Sequence, residues 1–99
     1  MIENLSNEEV DLIRRCLDAA VNGPFFPDWE FHSLIGVTRD EVRQVLRSWP
    51  KTEDPTFQRT VVVNALNNLL GYPHGMSDAW VQWVRSPRER VSRLMQKVL

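Results

Sequence analysis

The sequence predicts an all-α fold, a small compact bundle of about five to six short helices. Helix-start signals recur along the chain, apolar residues follow them at helical spacing, and the one strand-like run has no partner strand. The 99 residues suffice for one helical domain, which we expect to span residues 1–99. The hydrophobic share of 42% and the charged share of 25% are typical of a globular chain, so disorder is not expected.

The first predicted helix begins after Ser6. Ser6 and Glu9 have the spacing of a capping box, in which each side chain satisfies a free backbone N–H of the other residue. Apolar residues then follow at helical spacing, and the segment 22–24, which contains Gly23 and Pro24, ends the helix. A short second helix is predicted from Asp28 to Ile35.

The third predicted helix follows Gly36. Thr38 and Glu41 repeat the capping-box spacing, and Val42, Val45 and Leu46 supply the apolar side before Pro50 stops the helix. The two capping-box residues and Gly36, which stands between the second and third helices, therefore indicate two helices joined by a tight turn.

Three further helices complete the predicted bundle. Asp54 and Pro55 can start the fourth, which ends at Gly71, and Ser77 can cap the fifth. Ser86 and Glu89 form a third capping-box pattern at the start of the sixth. The run 60–63 favours a strand by propensity, but it lacks a partner strand, so we expect it to be helical.

The stretch from Val61 to Ser77 contains no charged residue. A helix that is apolar on most sides is normally central, so we interpret the helix over 61–70 as core. A partner-binding face, including a homodimer through this helix, is the alternative. Asn64 and Asn68 lie one turn apart on one face, and we expect them to tie the helix to the loop 71–75.

The charge is balanced overall and uneven along the chain. The net charge is −1, yet residues 1–50 carry five basic and nine acidic side chains, and residues 51–99 carry seven basic and four acidic ones. The two halves thus have charges of −4 and +3, which predicts two surfaces of different preference. The near-neutral total gives no general attraction to nucleic acid.

We expect the protein to be soluble and cytoplasmic. Cys16 is the single cysteine, so no intramolecular disulfide can form, which fits a reducing compartment. The acidic beginning of the chain lacks the basic and apolar regions of a signal peptide, and no apolar run is long enough to cross a bilayer.

No catalytic, metal or cofactor site is predicted. Cys16, His32 and His74 lack metal-ligand spacing, and Cys16 falls on the apolar side of the first helix. His74 stands in a loop without an evident partner, so we interpret its ring as a hydrogen-bonding group that fixes that loop. We therefore predict that the protein is not an enzyme.

Residues 28–48 contain a pattern that resembles the helix-turn-helix of DNA-binding proteins. Gly36 falls at the turn, and apolar residues fall at the buried positions. The resemblance implies four outward-facing DNA contacts on the second helix of the motif, which is the third predicted helix of the chain: Arg39, Arg43, Gln44 and Arg47. His32 replaces the usual small residue, and Asp40 and Glu41 add negative charge beside these contacts. DNA binding is therefore the alternative function.

The tryptophans suggest a binding protein that uses aromatic anchors. Four occur in this short chain, and we expect at least half of them to be buried: Trp29, Trp49, Trp80 and Trp83. The segments 23–31 and 66–74 are also similar to small bacterial proteins that we associate with immunity proteins of contact-dependent growth inhibition and other polymorphic toxin systems. This resemblance covers about a third of the chain.

The resemblance implies a cytoplasmic inhibitor that binds the toxic domain of a cognate effector. Such toxins are often nucleases with basic clefts, which an acidic surface can cover with electrostatically steered association. The acidic side chains available for this contact are those of Glu8, Glu9, Asp11, Asp18, Asp28 and Glu30. The partner is then a protein toxin domain.

Overall fold

The structure is a computed structural model that describes residues 2–99. A 3-10 turn over Ile2–Asn4 precedes six α-helices: α1 (Asn7–Asn22), α2 (Asp28–Ile35), α3 (Arg39–Ser48), α4 (Pro55–Gly71), α5 (Ser77–Trp83) and α6 (Arg88–Val98). Helix accounts for 73% of the chain, and residues 2–99 contain no strand. The predicted all-α fold of six helices is confirmed, and the strand-like run 60–63 is helical.

Three of the predicted helix starts have the expected side-chain caps. The Ser6 hydroxyl accepts from the backbone N–H of Glu9 at 3.1 Å, and the Glu9 carboxylate accepts from the Ser6 N–H at 2.8 Å. Thr38 and Glu41 make the same reciprocal pair at the start of α3. At the start of α4, Asp54 accepts from the Phe57 N–H at 3.0 Å. These bonds satisfy N–H groups that a helix leaves free in its first turn.

The other two predicted caps are wrong. Pro87 occupies the N-cap position of α6, and the buried Ser86 hydroxyl has no hydrogen-bond partner among the described residues. Helix α6 therefore begins one residue later than predicted, and the Trp80 indole donates to the Ser86 carbonyl at 2.7 Å. At α5, Met76 is the N-cap and Ser77 the first helical residue, since the His74 ring accepts the Met76 N–H at 3.1 Å.

Helix α4 lies at the centre of the bundle. It packs against α1, α2, α3 and α6, and its inward side chains are almost completely buried. None of the four exposed large hydrophobic residues of the described chain lies on α4. The uncharged helix over 61–70 is therefore core, as predicted, although its Val63 and Leu70 side chains are only partly buried.

Asn64 and Asn68 tie α4 to the end of α2 rather than to the loop 71–75. The Asn64 amide donates to the Ile35 carbonyl at 2.9 Å, and the Asn68 amide donates to the Leu34 carbonyl at 2.8 Å. The prediction of a structural tether is confirmed and its predicted target is wrong. The last carbonyls of a helix lack partners within it, so the end of α2 offers the acceptors.

Two of the four tryptophans are buried, in agreement with the expectation that at least half of them would be. Trp49 and Trp80 are 8% and 6% exposed, and the Trp49 indole donates to the Val10 carbonyl at 2.9 Å. Trp83 is half-buried, whereas Trp29 is 80% exposed. Trp29 is thus the one tryptophan whose ring is presented to solvent.

No helix among residues 2–99 has the length and apolar character needed to cross a membrane. The longest, α4, has 17 residues, which corresponds to about 26 Å of helix.

Candidate protein-binding surface

A row of ring contacts joins the segment before and within α2 to the loop that follows α4. We call Phe31, Phe26, Tyr72, His74 and Trp80 the aromatic row. Neighbouring ring centroids are 6.2, 5.7, 6.5 and 6.4 Å apart in that order. An arginine covers each end: the Arg39 guanidinium lies 4.3 Å from the Phe31 ring centre, and that of Arg88 lies 4.6 Å from the Trp80 ring centre. Such contacts fix ring positions beyond simple area burial.

Segments 23–31 and 66–74 therefore meet in space. Tyr72 donates its hydroxyl proton to Glu30 at 2.8 Å, which raises the pKa of Tyr72 above its ordinary value. The His74 ring contacts the Leu69 carbonyl at 3.0 Å and accepts the Met76 N–H. The expectation that His74 fixes its loop through backbone hydrogen bonds is confirmed.

Arg39 fastens the start of α2 to the end of α1. Its guanidinium donates to the carbonyls of Val21 and Phe26, the latter at 3.2 Å, and forms an ion pair with Asp28 at 2.9 Å. The end of α1 leaves carbonyl oxygens without intrahelical partners, and the five donors of a guanidinium can serve several of them at once. Arg39 is consequently a structural clamp with a side chain 22% exposed.

This placement corrects the outward-facing position that the helix-turn-helix pattern predicts for Arg39. Arg43 is also partly covered, with a side chain 33% exposed and an ion pair to Asp40. Gln44 and Arg47 are exposed, as that pattern predicts. Of the four predicted DNA contacts, Gln44 and Arg47 are therefore accessible without loss of an ion pair or of the Arg39 hydrogen bonds.

The six acidic residues predicted to bind the partner fall into two groups. Glu8, Glu9 and Asp11 lie in the first two turns of α1, whereas Asp28 and Glu30 lie on α2, beside the opposite end of α1. The 16 residues of α1 correspond to about 24 Å of helix, so the groups do not form one continuous patch. Asp18 stands near the end of α1 and accepts from the Asn22 amide at 2.7 Å.

The acidic residues of α1 also have cationic partners within the chain. Glu8 pairs with Arg90 at 3.1 Å, and Glu9 pairs with Lys97 at 2.7 Å, so both carboxylates bind α6. The Lys97 hydrogen bond and the N–H of Ser6 lower the pKa of Glu9. Asp11 pairs with Arg14 at 2.7 Å and also with Arg15, and its pKa is likewise lowered, chiefly by the Arg14 hydrogen bond. These pairs reduce the net negative charge of that group.

The solvent-facing side of α2 presents a different surface. We define the α2 face as Asp28, Trp29, His32 and Ser33, all of which are exposed. Trp29, His32 and Ser33 share one side because residues three and four apart on a helix are neighbours. The side chain of Asp28 is 95% exposed although it pairs with Arg39. An exposed indole beside an exposed carboxylate suits contact with another protein.

The rigid underside of α2 holds this face in place. Phe31 and Ile35 are buried, Arg39 clamps the first turn, and Asn64 and Asn68 bind the last carbonyls. Gly36 ends the helix in the left-handed conformation, with φ of 84°. A fixed platform lowers the ordering cost of binding through Trp29.

Cys16, His32 and His74 occupy three different environments. Cys16 is completely buried, and burial raises the pKa of its thiol to about 12, as expected for a core residue. No group of three or more potential metal ligands occurs within residues 2–99. His32 and His74 belong to different surfaces, since His32 lies on the α2 face and His74 in the aromatic row.

The sequence indicates four tryptophans as possible anchors but does not by itself show that Trp29 is the most exposed of them. Its position two residues before Phe31 places it about 200° around the helix from that buried side chain, which is the available signal for exposure. Val81 on α5 is also exposed, with 69% of its surface accessible to solvent. No family model, curated protein or solved structure was found to match this chain.

Proposed function

We propose that this protein is a non-catalytic cytoplasmic binding protein, an immunity protein that neutralises a cognate nuclease toxin domain by direct contact. The observation that carries the proposal is the 80% exposure of Trp29 on the α2 face. Burying an indole removes about 150–250 Å² from water, and tryptophans at the centre of an interface commonly contribute about 2 kcal/mol or more. The resemblance to immunity proteins suggested by the sequence of segments 23–31 and 66–74 favours the same class of protein, and the first of these segments contains Trp29.

The acidic side chains contribute less to the proposed contact with the toxin than their number in the sequence suggests. Glu8, Glu9, Asp11 and Asp28 all have cationic partners within the chain. Asp28 is nevertheless the carboxylate beside Trp29, and its exposed oxygen can face a basic rim on the toxin. We therefore place the centre of the interface at Trp29 and assign Asp28 to the selection of a basic partner.

The test begins with tagged wild-type protein and two single variants, Trp29→Ala and Leu99→Ser. Both positions are exposed, so neither substitution removes core packing, and Leu99, which lies outside the α2 face, provides the apolar control. Proteins retained from host lysate after nuclease treatment and a high-salt wash are identified by mass spectrometry. The captured domain is then expressed alone, and cell survival is measured with each variant.

We expect wild type and Leu99→Ser to protect cells and Trp29→Ala to lose at least tenfold in affinity, which corresponds to about 1.4 kcal/mol. Equal capture by Trp29→Ala, or the absence of any stoichiometric protein, contradicts the proposal. Retention of nucleic acid that disappears with salt favours the helix-turn-helix alternative. In that case Gln44→Ala and Arg47→Ala should weaken binding.

A further inference from the structure

A second surface of opposite character lies between α5 and the start of α6. An open groove of about 510 Å³ runs along the connection between these helices. Its apolar wall is formed by Trp80, Val81 and Pro87, and its rim carries Arg85 and Arg88. No Asp or Glu side chain of residues 2–99 lines it. We call this surface the arginine groove.

The apolar part of the arginine groove is open to solvent. Val81 is 69% exposed and is one of only four large hydrophobic residues exposed in the described chain. Pro87 beside it is also exposed. Covering these side chains with an apolar group would remove their surface from water, which favours association.

Both arginines are held beside the groove by other parts of the chain. Arg88 stacks over the Trp80 ring and donates to the Leu70 carbonyl at 3.0 Å. Arg85 has φ of 56°, the only positive φ of a non-glycine residue within residues 2–99. Arg15 holds this strained turn by donating to the carbonyls of Val84 at 2.7 Å and Arg85 at 3.0 Å. Strain that neighbouring groups maintain often marks a functional position.

We infer that the arginine groove docks an acidic peptide segment that carries a large apolar side chain. The apolar side chain would cover Val81 and Pro87, and the carboxylates would pair with Arg85 and Arg88. The absence of lining carboxylates gives the groove the complementary charge. A nucleic acid fits less well, since Trp80 is the groove's one aromatic ring, is 6% exposed and lies under Arg88, which leaves no free face for base stacking.

This inference does not depend on the proposed toxin contact, which uses the α2 face. The probe is a short fluorescein-labelled synthetic peptide in which two leucines are flanked by aspartates. A matched peptide carries lysine in place of each aspartate. Binding is followed by fluorescence anisotropy, and the contact is located by amide chemical shifts of the isotope-labelled protein.

Three variants test the groove. Arg85→Gly removes the guanidinium and suits the positive φ, so it should fold, and Val81→Ser removes an exposed apolar side chain. Arg93→Ala is the control, because Arg93 is an exposed α6 arginine outside the groove. We expect Arg85→Gly and Val81→Ser each to weaken binding by about threefold to fivefold, and Arg93→Ala to leave the affinity unchanged.

The shifted amides should fall within residues 77–88, and Trp29→Ala should bind the acidic peptide as wild type does. Absence of saturable binding, equal binding of the lysine peptide or an equal loss in Arg93→Ala would overturn the inference. Displacement of the peptide by a single-stranded oligonucleotide, with the same amides shifted, would reassign the groove to nucleic acid.

Discussion

Tyr72 and Glu30, separated by 42 positions in the sequence, share a hydrogen bond of 2.8 Å that links the loop after α4 to α2. The bond thus joins segment 23–31 to segment 66–74. Tyr72 is the chain's only tyrosine, so its ionisation can be observed alone by ultraviolet absorbance.

The pKa of Tyr72 should lie above its ordinary value of 10.0 because its hydroxyl donates to the Glu30 carboxylate. A raised pKa in the folded state stabilises the fold below the unfolded value, and this stabilisation is lost as the pH rises through the folded value. Glu30→Gln should move the titration midpoint back towards 10.0. An unchanged midpoint would show that the carboxylate does not control the phenol.

Arg39→Ala should lower the free energy of unfolding by about 2–3 kcal/mol, since it removes the bonds to Val21 and Phe26 and the ion pair with Asp28. Arg39→Lys should recover only part of this loss, because an ammonium group lacks the guanidinium fork. Urea unfolding measures both values. Arg47→Ala is the control, and we expect a change within about 0.5 kcal/mol at this exposed position. A similar loss in both alanine variants would contradict the assigned clamp.

Glu9→Gln should separate the ion pair with Lys97 from the cap of α1, because glutamine can still complete a capping box. The lowered pKa of Glu9 implies stability that is present above the ordinary carboxyl pKa of 4.5 and is lost as the pH falls further. We expect the variant to be less stable by about 0.5 kcal/mol at pH near 7.

The difference should shrink as the pH is lowered below 4.5 in denaturant titrations. Glu53→Gln, an exposed acid in the connection before α4, should show no comparable pH-dependent difference. A difference for Glu9→Gln that stays constant with pH would rule out the ion pair as its cause.

Two glycines should respond in opposite directions to alanine. A Cβ at Gly23 would meet the Ala19 carbonyl oxygen at 2.5 Å, so Gly23→Ala should destabilise the protein by about 1–3 kcal/mol. A Cβ at Gly71 meets nothing within 4 Å, and this residue ends α4 in helical conformation. Gly71→Ala should therefore raise stability by about 0.5–1 kcal/mol. Thermal unfolding distinguishes the two signs.

The local features of the fold were predictable from the sequence, whereas the partners of distant side chains were not. Ser6, Thr38 and Asp54 mark helix starts through contacts within three residues, so their patterns are readable. Ser86 has the same spacing to Glu89, but the Trp80 indole holds its carbonyl and Pro87 becomes the cap. A tertiary contact thus overrides a local signal.

The candidate surfaces likewise combine one feature that the sequence predicts and others that depend on distant contacts. The exposure of Trp29 is implicit in its angle to Phe31 on α2, and a helical projection could have found it. The contacts of Arg39 with the ends of α1 and α2 could not be predicted, because two of its acceptors are backbone carbonyls. Every residue carries such a carbonyl, so the sequence does not show which ones Arg39 binds. The arginine groove includes Arg85, whose φ is positive. Arginine is not a residue type that usually indicates a positive φ, so the sequence does not predict this turn.

The central position of α4 has a consequence for the exchange of backbone amide protons with solvent. Four helices cover α4, and its buried positions lie in the middle of the common core: Val61, Val62, Ala65, Leu66 and Leu69. Opening any one neighbouring helix leaves the others in place, so these amides become accessible only when the whole bundle opens. Their exchange with deuterium then measures global stability, while α2 and α5, which are shorter, exchange through local opening. A ligand on the α2 face would slow the local process before it changed the global one.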